Sequence, residues 1–201
     1  MVTSKSRAYY ALVSRLRRAG LPFESVVPGS DHRKCELVLT TADEAGLFGD
    51  KVAALEDLDE IPGVFKGQIV SRMGHGDEVV FVGVDPGKRN GLAVFYGETR
   101  LAFNTFDSVG ALCSRVAAFA SGLPRSRVVI RIGSGNRGIA EKLAEALKRV
   151  VPRATIEVVD ESGTSARTSR MKGVQGDQSA AARIAFRRGE VVSLGRPRTH
   201  V

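Results

Sequence analysis

Val79-Val80-Phe81-Val82-Gly83-Val84-Asp85-Pro86-Gly87-Lys88-Arg89-Asn90-Gly91-Leu92-Ala93-Val94 is the stretch on which the fold turns. It opens with an apolar, mostly β-branched run that predicts a strand. Asp85-Pro86-Gly87 stops that strand, because proline donates nothing to a ladder and glycine accepts turn geometry. An acid at such a stop projects at a sheet edge rather than into the core. Gly91 to Tyr96 predicts a second strand and Arg100 to Phe106 a third, and the short turn at Gly97-Glu98 makes them an antiparallel hairpin. A three-strand meander therefore opens this part of the chain.

Farther along, the apolar period lengthens. Leu112, Val116 and Phe119 mark a helix that ends before Gly122 and Pro124, and Val128 to Ile132, apolar except for Arg131, predicts a largely buried strand. Ile139, Leu143 and Leu147 give another helix, Thr155 to Val159 another strand, and Gln178 to Arg188 a last helix with Ala181, Ile184 and Ala185 inward. The order β-β-β-α-β-α-β-α predicts an α/β domain of the ribonuclease H-like kind, a mixed five-stranded sheet flanked by helices.

Upstream, Tyr9, Leu12, Val13 and Leu16 recur at helical spacing after Ser4 or Ser6, with Arg15, Arg17 and Arg18 on the wetter side and a stop at Gly20 and Pro22. Apolar runs at Phe23 to Val27, Cys35 to Thr41 and Lys51 to Leu55 add up to a small α/β unit that carries no functional motif. Met73 to Glu78 breaks all periodicity and marks a boundary. Residues 1–76 are thus expected to form a small α/β domain of unassigned role, and 77–201 the larger one.

With 201 residues, 43% of them apolar, the chain can bury a core, and its net charge of +8 attracts polyanions. No run approaches the roughly 20 apolar residues of a membrane span, and no signal-peptide order is present, so the expectation is a cytoplasmic protein with no membrane association. Cys35 and Cys113 have no companions at metal-ligand spacing, and His32, His75 and His200 are scattered. The absence of Trp and the presence of only 3 Tyr and 9 Phe point to phosphate contacts rather than a broad stacking platform.

Acids mark where chemistry could lie. Asp85 ends the first strand of the meander, Asp160 and Glu161 end the strand at Thr155 to Val159, and Asp177 precedes the last helix. Each has a plain reading alone: a turn residue, a solvated pair and an N-cap. Strand alternation puts one of Asp160 and Glu161 on the side of Asp85. Gathered at one sheet end, three carboxylates repel unless a cation neutralises them, and hard oxygen donors suit Mg²⁺ or Mn²⁺. Lys88 and Arg89, Arg167, Arg170 and Lys172, and Arg187-Arg188 supply cations for a phosphate-binding rim.

These stretches resemble the RuvC-like superfamily and, within it, the YqgF-type Holliday junction resolvases, over about residues 79 to 189. Asp85-Pro86-Gly87 with Gly91-Leu92-Ala93-Val94 is similar to the family's Asp-x-Gly strand end and glycine-led second strand. Asp160-Glu161-Ser162-Gly163-Thr164-Ser165 resembles its Asp-Glu-Arg-x-Thr-Thr segment, and Lys172 to Ala181 its closing Lys-x-x-x-Asp-x-x-Ala-Ala helix start. The resemblance implies Asp85, Glu161 and Asp177 as catalytic metal ligands for Mg²⁺ or Mn²⁺, with Thr164 and Ser165 supporting the loop or touching phosphate. It also implies a nuclease acting on structured DNA or RNA, as a junction resolvase or an RNA-processing enzyme, and a homodimer. Ser162 stands where the family has Arg, Gly176 is an extra residue before the final acid, and the loop between the last two motifs is short.

Two other readings compete. A ribonuclease H-like module that binds nucleic acid without cutting it would explain Ser162. Gly133-Ser134-Gly135-Asn136-Arg137-Gly138, a G-x-G-x-x-G between strand and helix with Asp160 ending the next strand, has the form of a nucleotide-binding turn.

Overall fold

The computed structural model describes residues 1–31, 34–74, 79–160 and 174–192, with side chains in the last helix from Ala180 onward. The chain divides into two compact units: Met1–Glu78 with Ser121–Pro124, and Val79–Ala120 with Arg125–Val201. Ser121–Pro124, distant in sequence, groups with the first unit.

In the first unit, α1 (Ser6–Ala19) buries Ala8, Leu12 and Leu16 at helical spacing. Gly20 closes it at φ 64°, a left-handed geometry that lets the N–H groups of Gly20 and Leu21 reach the carbonyls of Arg17 and Leu16. Strand β1 (Val38–Thr40), the short helix α2 (Ala42–Ala45) and β2 (Val52–Ala54) follow, and β1 pairs with β2 in parallel. Phe23 to Val27 forms no strand: Phe23 packs against the core, and Val26 makes a backbone bond to Met1 rather than a ladder. Helix α3 (Pro62–Arg72) was not legible in the pattern because Gly63 and Gly67 interrupt it. Pro62 sits in its first turn, where a missing N–H costs nothing, and Phe65 and Ile69 join Leu12, Leu16 and Leu39 in one core.

The second unit runs β3 (Val79–Asp85), β4 (Asn90–Tyr96), β5 (Thr99–Phe106), α4 (Val109–Gly122), β6 (Arg127–Gly133), α5 (Arg137–Val150), β7 (Thr155–Val159), α6 (Val174–Phe186) and β8 (Glu190–Val191). Its sheet has the order β5-β4-β3-β6-β7-β8. The meander is antiparallel as expected, β3-β6 and β6-β7 are parallel, and β8 returns antiparallel to β7. The architecture is mixed α/β, and its sheet has six strands where five were expected. The two-residue β8 is too short and too exposed to leave a periodic signature.

Alternation sorts the sheet into two faces. On one, Val80, Val82, Val84, Ile130 and Ile132 are fully buried, as are Leu112, Val116 and Phe119 of α4 and Leu143 and Leu147 of α5. The other carries α6. Ala181 and Ala185 pack with Ala93 and Phe95, and Phe186 meets the rings of Phe81 and Phe95 at 5.8 and 4.7 Å. A Cβ on Gly83 would stand 1.9 Å from the Ala181 carbonyl oxygen, so glycine here permits the helix backbone to lie directly on β3. Helix α6 starts at Val174, which puts Asp177 inside the helix rather than at its cap. The local Gly176-Asp177 signal suggested a start, but the helix continues through it.

Candidate functional site

Asp85, half-buried, closes β3 opposite Gly91 of β4, which in turn pairs with Thr105 of β5. One residue beyond the Val84–Ile132 pair on the other side comes Gly133 of β6, itself paired with Val159 of β7. The cross-strand row is therefore Thr105, Gly91, Asp85, Gly133, Val159, with glycine on both strands beside the acid. Thr105 Oγ1 in this row is buried with no hydrogen-bond partner among the described residues, a costly state for a hydroxyl.

Asp85 lies on the α6 face, two residues past Gly83 and four past Phe81. Since Phe186 meets Phe81 while Ala181 and Ala185 meet Gly83, α6 runs opposite to β3 and its first turns lead toward the Asp85 end. Asp177 is one turn before Ala181, a rise of about 6 Å, and Asp85 is about 6.6 Å beyond Gly83 along the strand. The backbone positions of these two acids thus fall at one end of one face, while the Asp177 side chain lies outside the described residues.

On β7, Glu157 faces α6: it pairs with Arg131 of β6, whose other nitrogen donates to the Ala185 carbonyl. Odd positions of β7 therefore share the face of Asp85. Asp160, exposed at the strand end, has the opposite parity, and its carbonyl accepts from Arg187 at 2.8 Å. Glu161 lies outside the described residues, as do Thr164, Ser165, Arg167, Arg170 and Lys172.

The Arg131–Glu157 pair was not anticipated. Nε of Arg131 lies 2.8 Å from Glu157 Oε2, with both side chains almost buried, and the guanidinium sits 5.3 Å from the Phe81 ring centroid. Glu157 also accepts from the Gly189 N–H at 3.1 Å. The pair ties β6 and β7 to the last turn of α6 and the chain beyond it. Its signal in the sequence was Arg131 itself, a charge in an apolar strand.

Lys88 and Arg89 are exposed in the turn after Asp85, and Arg89 pairs with Asp107 at 2.9 Å. Arg187 and Arg188 are also exposed. Residues 79–201 hold 20 Lys and Arg against 10 Asp and Glu, whereas residues 1–78 hold 10 against 12, so the positive charge belongs to the second unit. The described residues contain no group of three His, Cys, Asp or Glu side chains arranged to hold a metal. As a donor, the Asp85 carboxylate is a hard oxygen ligand beside two glycines, the chemistry that suits Mg²⁺ or Mn²⁺.

The glycine-rich segment forms the turn from β6 into α5. Asn136 caps α5 by accepting from the Ile139 N–H at 3.1 Å, and the Ser134 N–H donates to the Val159 carbonyl at 2.9 Å. Two of the amides a phosphate would use are thus engaged. A cleft of about 540 Å³ lies alongside, lined in part by Ser134, Arg137, Asp160 and Arg188, and Arg137 is paired with Glu141. No described helix is long and apolar enough to cross a membrane. The Cys113 thiol is pushed up by burial, against the pull of Arg149.

No family model matches the chain, and no curated protein matches it. Among solved structures, the chain is similar to Marinitoga piezophila Argonaute in complex with 5' OH guide RNA, at 13% identity and a TM-score of 0.29. That similarity covers 79% of this chain and 38% of the Argonaute chain.

Proposed function

We propose that the chain is a metal-dependent nuclease of the ribonuclease H-like superfamily, related to the RuvC-like, YqgF-type resolvases, that hydrolyses phosphodiester bonds in structured DNA or RNA. Asp85, Glu161 and Asp177 would hold Mg²⁺ or Mn²⁺. The observation that carries this reading is the convergence of backbone positions: Asp85 ends the central strand on the face that α6 crosses, with the turn of Asp177 leading to the same end. A further feature supports it: a meander followed by two parallel strands is the element order of the superfamily.

In this reading, what a divalent ion supplies is charge neutralisation at the phosphate and an acidified water. The chain's own residues orient and hold. The β3 backbone and the α6 contact at Gly83 set the Asp85 carboxylate, and Lys88 with the basic segment Arg167, Arg170 and Lys172 grips flanking phosphates. The test is Mn²⁺-dependent cleavage of branched and single-stranded substrates by wild type and Asp85→Asn. Loss of cleavage by about 10³-fold or more in the variant is expected, since a ligand to the reacting centre is removed. Equal cleavage by both would sink the reading. Salt-sensitive binding with no metal-dependent cutting by wild type would instead select the non-catalytic module.

A further inference from the structure

Helix α1 has no place in the site just described, yet its composition is unusual for a surface helix. It carries four arginines, Arg7, Arg15, Arg17 and Arg18, and no acid, although residues 1–78 as a whole hold more Asp and Glu than Lys and Arg. Arg15 is accounted for: it turns inward to the carbonyls of Leu55 and Leu58 and to Glu60. The other three are exposed, and no ion pair among the described residues engages them. Nearby acids are already committed, Asp43 to Lys5 and Glu44 to the hydroxyls of Thr3 and Ser4. A helix face that merely meets water commonly mixes charges at i and i+4. This one is of a single sign.

Tyr10 lies among these cations at 72% exposure, three residues after Arg7 and seven before Arg17, so the three share one side of the helix. Arg7 to Arg18 spans about 16 Å at 1.5 Å per residue, enough to meet successive phosphates of one strand. We propose that this outward face of α1, made of Arg7, Tyr10, Arg17 and Arg18, is a second nucleic-acid contact surface of the chain. The arginines bind the phosphodiester backbone and a base stacks on Tyr10. Charge complementarity selects the partner class. An anionic membrane fits less well, because an interfacial helix must offer an apolar face to lipid and the apolar row of α1, Ala8, Leu12 and Leu16, is buried in its own unit. The assignment is independent of hydrolysis at Asp85.

The experiment uses the full chain in EDTA, so that no cleavage intervenes, and follows anisotropy of labelled single-stranded and duplex oligonucleotides over a range of salt. Replacing Arg7, Arg17 and Arg18 together by Gln should reduce the log K against log salt slope for single strands by about 2, three contacts at about 0.7 each. Tyr10→Ala should weaken single-strand binding by about tenfold or more and duplex binding less. The triple Lys variant, which retains the point charges, should keep most of the slope and shows that these positions tolerate change. Because the assay contains no metal, its outcome does not depend on whether Asp85 supports hydrolysis. An unchanged slope in a folded Gln variant would overturn the proposal. So would loss of binding to phosphatidylglycerol vesicles with oligonucleotide binding intact, an outcome that would assign the face to membranes.

Discussion

Glu44 shows how one carboxylate can organise a small unit. It accepts from the Ser4 hydroxyl and N–H and from the hydroxyls of Thr3, Thr40 and Thr41, and so joins the chain before α1 to the end of β1 and to α2. These donors, the Ser4 hydroxyl first and then that of Thr3, hold its carboxyl well below the ordinary glutamate range. A group whose folded pKa is depressed contributes stability above its unfolded value, near 4.5 here, and loses that contribution as pH falls further. Glu44→Gln should therefore lower stability most at neutral pH, with the gap from wild type closing below about pH 4.5 in denaturant titrations. A constant gap would refute the linkage. Arg131 and Glu157 pose the opposite case, an ion pair nearly withdrawn from water. Removing one partner, as in Glu157→Gln, strands a buried charge and should cost about 3 to 5 kcal/mol, whereas Arg131→Met with Glu157→Met should cost far less because apolar pairs of similar volume carry no desolvation penalty. Urea unfolding of the two variants makes the comparison.

Among the elements, α6 is the one on which the candidate site depends, and its seat is a glycine. Gly83→Ala puts a methyl group 1.9 Å from the Ala181 carbonyl and 2.7 Å from the Ala185 N–H, backbone atoms that cannot rotate away. The expected result is destabilisation of about 3 kcal/mol or more, or displacement of α6. Loss of Mn²⁺-dependent cleavage in a variant that still melts cooperatively would be the signature of displacement, and wild-type stability and cleavage together would show that the close approach does not matter. The elements were unequally legible. Strands β3 to β7 announced themselves because each is buried on at least one face, which imposes alternation or a continuous apolar run. Helix α3 and strand β8 did not, the first because glycines break its pattern and the second because two exposed residues have none.

At the scale of the whole molecule, charge is segregated: the second unit carries an excess of ten basic residues and the first a slight acidic excess interrupted by α1. Nucleic acid affinity should therefore be steeply salt-dependent, falling by about 10³-fold or more between 50 and 200 mM salt if six or more phosphates are engaged. A flat dependence would remove nucleic acid as the partner. Sequence alone determined the meander and the alternation of strands and helices, since each rests on local pattern. Tertiary structure alone decided which residues meet. Parity on β7 separates Asp160 from the face of Asp85, Gly83 brings α6 onto β3, and Arg131 finds Glu157 across a strand pair. Those outcomes depend on register and on helix direction, and register between segments distant in the chain is set by packing that no local stretch encodes.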